Sequence, residues 1–390
     1  MSTSPTTLVE LREAVLDTPG PVVATGAGTA ADWGSPVAAD ATAVSVTGLH
    51  GVIQHNPGDM TVSVGAGTPL TALQETLAGK NQRVALDAAR AARGATVGGL
   101  FATADSGPLA LGYGSLRDLV IGVTVVLADG TVARAGGHVI KNVAGYDLTK
   151  LLHGAYGTFG LLAEVVLRLH PLPPARRTIA LPVDALADLP ARGRDVTDTP
   201  VEAAALEWSD GRLLALLEGT EAGVEGRAER LTGLLGADAE ILSPDDADAA
   251  WAAHAAAVDQ RPADRAVLRI GTKPTALGEV LTGLTADAGA RDVTAAPATG
   301  VATLTVPARA DAVDAVHRRV AAAGGTSTLR AHPAGVDLPA FGPAPSSAAL
   351  LRAVAAAFDP EHRLGRGRLA PWVIAPASPA ATGPRTGVSA

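Results

Sequence analysis

The residues of this chain most suited to chemistry sit in glycine-rich turns and in one lysine-bearing stretch. The first turn is TGAGTAADWG, residues 25–34, which follows the apolar run Pro21-Val22-Val23-Ala24. Gly26, Gly28 and Ala31 fit G-x-G-x-x-A, the loop that opens a dinucleotide-binding βαβ unit. That unit needs a helix to begin inside the loop, because the helix N-terminus supplies the dipole and the free N–H groups for a pyrophosphate. Gly34 and Pro36 disfavour a first helical turn, and Pro36 turns Ser35 away from the α region. No apolar period near four continues from Thr29. The βαβ reading is therefore rejected. The turn can still hold a diphosphate, since successive backbone N–H groups in a glycine-permitted turn form an anion-holding concavity without a helix. A plain strand-to-strand turn is the competing reading.

The densest glycine region is GATVGGLFATADSGPLALGYG, residues 94–114. Gly98-Gly99 and Ser106-Gly107 offer N–H groups free of side-chain obstruction, and Thr96, Thr103 and Ser106 add hydroxyls. A surface loop would explain the same composition. Two glycine loops about seventy residues apart favour a long ligand with a pyrophosphate in its middle.

The stretch 136–165, GGHVIKNVAGYDLTKLLHGAYGTFGLLAEV, adds charged and phenolic groups. The chain has four lysines against 27 arginines, so Lys141 is not one surface cation among many. Lys141, Asn142, Tyr146 and Asp147 place a cation, an amide, a phenol and a carboxylate within seven residues. A cation at the N1/C2=O edge of a flavin would stabilise the anionic reduced ring. The plainer readings are Asp147 capping a helix over 148–153 and a solvated Lys141. The capping role is preferred for Asp147, and both readings stay open for Lys141.

These groups need elements to position them. Leu8, Leu11, Val15 and Leu16 recur at helical spacing, predicting a helix over 7–17. Alternation predicts strands around Val44 and Val46 and over Val62, Val64 and Ala66. Thr68 should cap a helix with Pro69 in its first turn, Leu70, Leu73 and Leu77 on one face, and Gly79 at its end. A hairpin is expected at VIGVTVVLADGTVARAGG, turning at Asp129-Gly130. The strand GLLAEVVLRLHPLP runs into prolines at 171–174, a domain boundary. Beyond it come a hairpin at AALEWSDGRLLALLEG, helices at 221–235, 246–258, 275–288 and 310–323, and strands at 266–270 and 301–306. Such alternation gives an α+β domain with its sheet on one side and its helices on the other. SAALLRAVAAAF is a further helix.

The 390 residues suit two or three domains. The net charge of −8 without a basic stripe argues against nucleic acid as a partner. There is no cysteine, which removes disulfides, cysteinyl iron–sulfur clusters and thiol-linked cofactors. None of the nine histidines forms H-x-H, H-x-x-H or H-E-x-x-H, so no metal site is expected. His254, among alanines, reads as a partly buried spacer and His317 as a solvated helix face. His332 and His362 lie in loops that could approach a ligand. No run approaches the ~18 apolar residues of a membrane span, and the N-terminus does not read as a targeting peptide; a cytoplasmic protein is expected, docked at most to a membrane partner.

Five blocks occur in order: TGAGTAADWG, GVIQHNPGDMTVSVGAGTPLTAL, GATVGGLFATADSGP, YGSLRDLVIGVTVVLADGTVARAGG and KNVAGYDLTKLLHGAYGTFGLLAEVVLRLHPLP. Together they resemble the FAD-binding domain of the vanillyl-alcohol-oxidase/PCMH superfamily, and within it the E-type FAD-binding subunits of glycolate oxidase. The likeness is dense over residues 20–175, thin over 176–345, and resumes at FDPEHRLGRGRL. It implies an α+β fold: a two-subdomain PCMH-type FAD-binding domain over 1–175 and an α+β cap domain over 176–345. A helix and loop over 346–372 would return to the flavin, ahead of a disordered tail over 373–390.

The resemblance also implies that Gly26, Ala27, Gly28, Thr29 and Ala30 wrap the pyrophosphate. Thr96, Val97, Gly98, Gly99, Ser106 and Gly107 would line the FAD. Gly157, Thr158, Gly160 and Leu161 would pass its adenine end. Thr29 stands where covalently flavinylated relatives carry histidine, so the FAD should be non-covalent. Relatives' Asn-Pro-Gly-Arg is replaced by Gly365-Arg366-Gly367-Arg368, and the paired H-x-H of the metal-using dehydrogenases is absent.

The leading expectation is an FAD-dependent oxidoreductase, or its FAD-binding subunit, that oxidises a small 2-hydroxy acid such as glycolate or D-lactate. Tyr113, Arg117, Lys141 and Tyr146 are the catalytic candidates, with Arg366 or Arg368 as carboxylate clamps. Electrons would pass to an iron–sulfur partner, beside a sister flavin subunit. The competing expectation is a non-catalytic FAD-binding scaffold for a catalytic sister; a flavin-free nucleotide binder is a third.

Overall fold

Asp210 and Gly211 both take positive φ, +50° and +76°, between the strands Ala205–Ser209 and Arg212–Gly219. This is the two-residue turn whose twist matches a hairpin. The other expected hairpin joins Val120–Val126 to Val132–Gly136, with Gly130 at φ +79°. The computed structural model, which describes residues 3–139 and 146–373, builds two large antiparallel sheets around these ribbons, with a short antiparallel pair, Gln82–Arg83 with His170–Pro171, beside them.

The five-stranded sheet runs Val52–Asn56, Thr61–Gly65, Leu161–Arg168, Val120–Val126, Val132–Gly136. The fully buried strand Thr61–Gly65 and the mostly buried Leu161–Arg168 form its middle. Helix Leu70–Ala78 sends Leu70, Leu73 and Leu77 into the core, and Phe101 of helix Val97–Ala102 is fully buried beside them. A separate parallel pair, Val22–Thr25 with Thr42–Ser45, carries the first glycine turn at its end. Helix Leu8–Asp17 is capped by Thr7 and buries Leu11 and Val15 against this pair.

The eight-stranded sheet draws on residues 175–331. Its order is Glu240–Ile241, Ala175–Pro182, Arg212–Gly219, Ala205–Ser209, Arg291–Ala296, Val301–Pro307, Arg265–Gly271, Thr326–Ala331. Helices Glu221–Leu235, Leu277–Asp287 and Ala310–Ala322 bury apolar stripes against it. Helix Pro244–Val258 buries only His254. The segment after helix Ala348–Phe358 returns to the first glycine turn: Gly365 N donates to Val22 O at 2.8 Å and Ser35 N donates to Arg368 O at 3.1 Å.

Some sequence expectations need correction. Pro69, not Thr68, occupies the cap of helix Leu70–Ala78, because the Thr68 hydroxyl donates to Gly65 O at 2.6 Å and accepts from Gly51 N. Gly79 ends that helix in the right-handed region, so its conformational freedom is unused. His317 is buried rather than solvated, with Nδ1 2.6 Å from Ser327 Oγ and Nε2 3.0 Å from Pro339 O. Leu148 rather than Asp147 caps the short helix Thr149–Leu152; Asp147 accepts from the Thr149 hydroxyl instead.

A buried ion pair ties the eight-stranded sheet to the short strand Gln82–Arg83, which pairs with His170–Pro171. Arg83 Nη1 donates to Glu218 Oε1 at 2.9 Å, and the Tyr113 hydroxyl donates to Glu218 Oε2 at 2.7 Å. Removing one member leaves an uncompensated buried charge. Glu218→Ala should therefore lower unfolding stability by about 3 kcal/mol, read from urea denaturation of the full chain, with Glu218→Gln losing less.

Candidate functional site

The first glycine turn opens on a cavity. Gly26 to Ala30 line it, as do Thr96, Gly98 and Gly99 of the second glycine loop and Gly157 and Gly160 of the third. The first two turns touch: a Cβ on Gly26 would stand 2.7 Å from Thr96 Oγ1. Gly28 has φ +72° and open space where its Cβ would be. Among the described residues nothing accepts from the amides of Ala27, Gly28, Thr29 or Ala30. No helix follows, only turns through Trp33.

The second loop is built differently. Gly98 N donates to Ala66 O at 2.8 Å and Gly99 N to Thr96 Oγ1 at 3.1 Å, so these amides serve the fold. A Cβ on Gly98 would meet Ala66 Cβ and O at 2.8 Å, which gives that glycine a packing reason. Val97, Thr158 and Leu161 are buried off the cavity, and Leu162 takes the lining position. Ser106 and Gly107 do not reach this cavity; they line a second one.

Arginines surround the first turn. Arg90 is buried, and its guanidinium donates to Thr29 Oγ1 at 2.9 Å, Thr103 Oγ1 at 2.8 Å and Asp105 Oδ2 at 2.8 Å. Arg93 and Arg261 both donate to Thr29 O, at 3.0 and 2.9 Å. Arg368 lines the cavity and donates to Ala31 O and Trp33 O. Arg366 turns to His362 O and Glu361 O of its own segment. Burial opposes ionisation of Asp105, yet Arg330, Arg90 and Arg269 hold its carboxyl at about 2.

These residues fit a dinucleotide diphosphate: cavity-lining residues whose amides have no acceptor among the described residues, a glycine whose Cβ position is empty, and flanking cations. Residues 3–136 match the family described as FAD binding domain. This part of the chain is an FAD-binding domain. The match covers the first two glycine turns, and the cofactor is FAD. Over 230 residues the chain is 31% identical to glycolate oxidase subunit GlcE of Escherichia coli, covering 58% of this chain and 63% of that one. It is 37% identical over 123 residues to glycolate oxidase subunit GlcD of Bacillus subtilis, 32% of this chain and 26% of that one. Over 173 residues it is 28% identical to a mitochondrial D-lactate dehydrogenase of Saccharomyces cerevisiae, 44% of this chain and 29% of that one. The chain thus spans less than two thirds of each of these relatives. An alkyldihydroxyacetonephosphate synthase structure shares the fold, with TM-score 0.66 at 15% identity over 94% of this chain and 75% of that one.

The second cavity lies between the segment 106–111, helix Pro244–Val258 and the open face of the eight-stranded sheet. None of the expected catalytic side chains lines it. Tyr113 is spent on Glu218, and its phenol is pushed up by burial and then by Glu218. Arg117 is exposed, and its carbonyl accepts from Lys150. Tyr146 is 96% exposed. Lys141 lies outside the described residues.

The cavity's charged groups are Arg269, Glu207, His254 and Asp87, with Arg176 and Asp248 at its far end. Arg269 makes one long bond, to Ser106 Oγ at 3.3 Å. Among the described residues no carboxylate lies within ion-pair distance of it. Burial lowers its guanidinium to about 10. Glu207 Oε2 stands 3.7 Å from His254 Nε2, and His254 Nδ1 is buried without a partner. Burial pushes Glu207 up to about 8 and holds His254 down at about 4. Burial also raises Asp87 to about 6, although both its oxygens face Leu109 N.

Sequence reasoning missed Arg269, Glu207 and Asp87, and set His254 aside as a spacer. They come from two strands, a helix and a loop, so no local motif gathers them; the one signal was a histidine among alanines.

Two outcomes are expected. Gly28→Trp should leave a folded but colourless protein, because the indole would occupy the turn's hollow; the measurement is flavin released on denaturation, with melting temperature as the folding control. For Glu207, the folded value of about 8 exceeds the ordinary 4.5, so the folded state holds its proton longer and stability falls as pH rises between them. His254 acts oppositely, its share being lost as pH falls from 6.5 towards 4. Between about pH 6.5 and 8 Glu207 therefore dominates this pair. Glu207→Gln should flatten a decline of about 2 kcal/mol in that window, read from urea melts across pH.

Proposed function

We propose that the chain is an FAD-dependent oxidoreductase, or the FAD-binding subunit of one, that oxidises a 2-hydroxy acid to the 2-oxo acid. The observation that carries this is Arg269, a half-buried cation that makes no ion pair among the described residues and lines a cavity beside the cofactor loops, the nearby Asp105 carboxylate being already bonded by Arg90 and Arg330. Burying a charge unpaired is costly, so an arginine kept this way suits a ligand carboxylate as its missing partner. The names of the relatives, glycolate oxidase subunits and D-lactate dehydrogenases, support the same substrate class.

In this reading Arg269 binds the carboxylate, helped by the Ser106 hydroxyl. His254, neutral at physiological pH, takes the hydroxyl proton, and Glu207 beside it is itself protonated there and brings no charge to the step. FAD, when bound, supplies a two-electron acceptor for the hydrogen on the substrate carbon. Gly26 to Ala30 hold its diphosphate, without a covalent link. With no cysteine in the chain, onward electrons go to an iron–sulfur partner, and a sister flavin subunit completes a multi-subunit assembly. No described helix is long and apolar enough to cross a membrane. We place the chain in the cytoplasm, reaching a membrane only through a partner.

One observation favours a second reading, an FAD-binding scaffold without its own turnover. Arg90, Asp105 and Arg330 link between the loops of the two cavities, with Arg90 lining the first and its neighbour Ala89 the second. The two are separated by adding glycolate and D-lactate anaerobically to the purified, flavin-loaded chain. Bleaching of the visible flavin band supports oxidation; a band that persists with every 2-hydroxy acid supports the scaffold. Where bleaching occurs, Arg269→Met should raise the half-saturating acid concentration about a hundredfold with flavin content unchanged.

A further inference from the structure

The second cavity is a trench, and its long axis follows the order of the strands. Arg269 pairs across strands with Thr303, and Thr303 with Thr294, so the cationic end is flanked by hydroxyls on one sheet face. Glu207 lies on the next strand, Ala205–Ser209. Beyond it Ala205 pairs with Leu216, and Leu216 with Thr178. Leu216, Ala205 and Leu109 form an apolar cluster on which Trp251 packs, its indole N–H donating to Thr178 Oγ1 at 3.0 Å. Arg176, on the strand Ala175–Pro182, marks the far end. From the strand of Arg269 to that of Arg176 the sheet takes five lateral steps, which at ~4.8 Å each is about 24 Å. A two- or three-carbon acid held at Arg269 would reach only the first of these steps.

Resting on the 2-hydroxy acid reading of this site, we propose that the ligand is a 2-hydroxy acid bearing an extended apolar side chain. Its carboxylate sits at Arg269 and its tail runs over Leu216 beneath Leu109 and Trp251. Leu109, Leu216 and Trp251 are then the residues that set chain-length preference, and glycolate is a poor ligand because it leaves that apolar floor wet. Each methylene laid on the floor strengthens binding about fourfold.

The test is calorimetric titration of the flavin-loaded full chain with 2-oxo acids of increasing length, from pyruvate to 2-oxohexanoate, which bind as products without turnover. The dissociation constant should fall about fourfold per methylene, about sixtyfold across the series. Arg269→Met should weaken every member. Leu216→Asn, or Leu109→Gln where the first variant melts early, should flatten the series. A series that is flat in the wild-type chain yet depends on Arg269 overturns the apolar tail and leaves the 2-hydroxy acid reading standing. A steep series unchanged in folded Leu216 and Leu109 variants overturns the assigned path. No binding by any member, or binding indifferent to Arg269, overturns both.

Discussion

A diphosphate-binding turn without a helix behind it must get its positive field from elsewhere. In this chain the turn after Val22–Thr25 gets it from arginine side chains that take the outward carbonyls. Thr29 O accepts from Arg93 and Arg261, and Ala31 O and Trp33 O from Arg368. None of the amides of residues 27 to 30 has an acceptor among the described residues, and the Ala30 amide shares its peptide with Thr29 O, so the two guanidiniums on that oxygen strengthen the Ala30 N–H as a donor. Guanidinium stays charged even where burial weakens it, as at Arg90 and Arg368. The arrangement replaces a helix dipole with fixed cations at the back of the turn.

Those cations come from distant parts of the chain. Arg90 and Arg93 belong to the segment before the second glycine loop, Arg261 and Arg330 to the eight-stranded sheet region, and Arg368 to the returning C-terminal segment. Arg90 and Arg330 both lie over the Trp33 ring, at 4.1 and 3.7 Å, and share Asp105. Asp32 is paired with Arg261, and Asp259 with Arg93. The shape of this turn therefore depends on three separate segments packing together, and the Arg83–Glu218–Tyr113 cluster ties the same eight-stranded sheet to the short strand Gln82–Arg83.

Much of this was legible in the sequence where a local rule decides the outcome. Periods of 3.6 and 2 and the Asp129-Gly130 turn act within a few residues, and the opening helix and both expected hairpins form. Rejecting a βαβ unit at Gly34 and Pro36 was likewise a local argument, and turns follow there. The second glycine loop shows the limit. Gly98 and Gly99 read as bare amides, but Ala66 and Thr96, brought in by a strand and a cap, consume them. Tyr113 and Arg117 were candidates because a flavin reaction needs an acid–base group and a cation; one is spent on a partner 105 positions away and the other faces solvent. The residues that meet in the trench are spread from Asp87 to Thr303 and share only a sheet face.

The trench has an electrostatic logic that sequence cannot display. Around neutral pH, Glu207 is held protonated by burial and His254 is held neutral. Asp87 keeps its charge there, but its oxygens are turned to Leu109 N and away from Arg269's free donors. The midsection is then close to uncharged, and the cation at one end stands out against it. A monoanion oriented by that cation has one favourable direction, with its uncharged part extending over Leu216 and away from Arg269. Were Glu207 ionised, it would sit between the clamp and the apolar floor and repel the same carboxylate. Burial of this glutamate thus both keeps Arg269 available and keeps the path beyond it apolar.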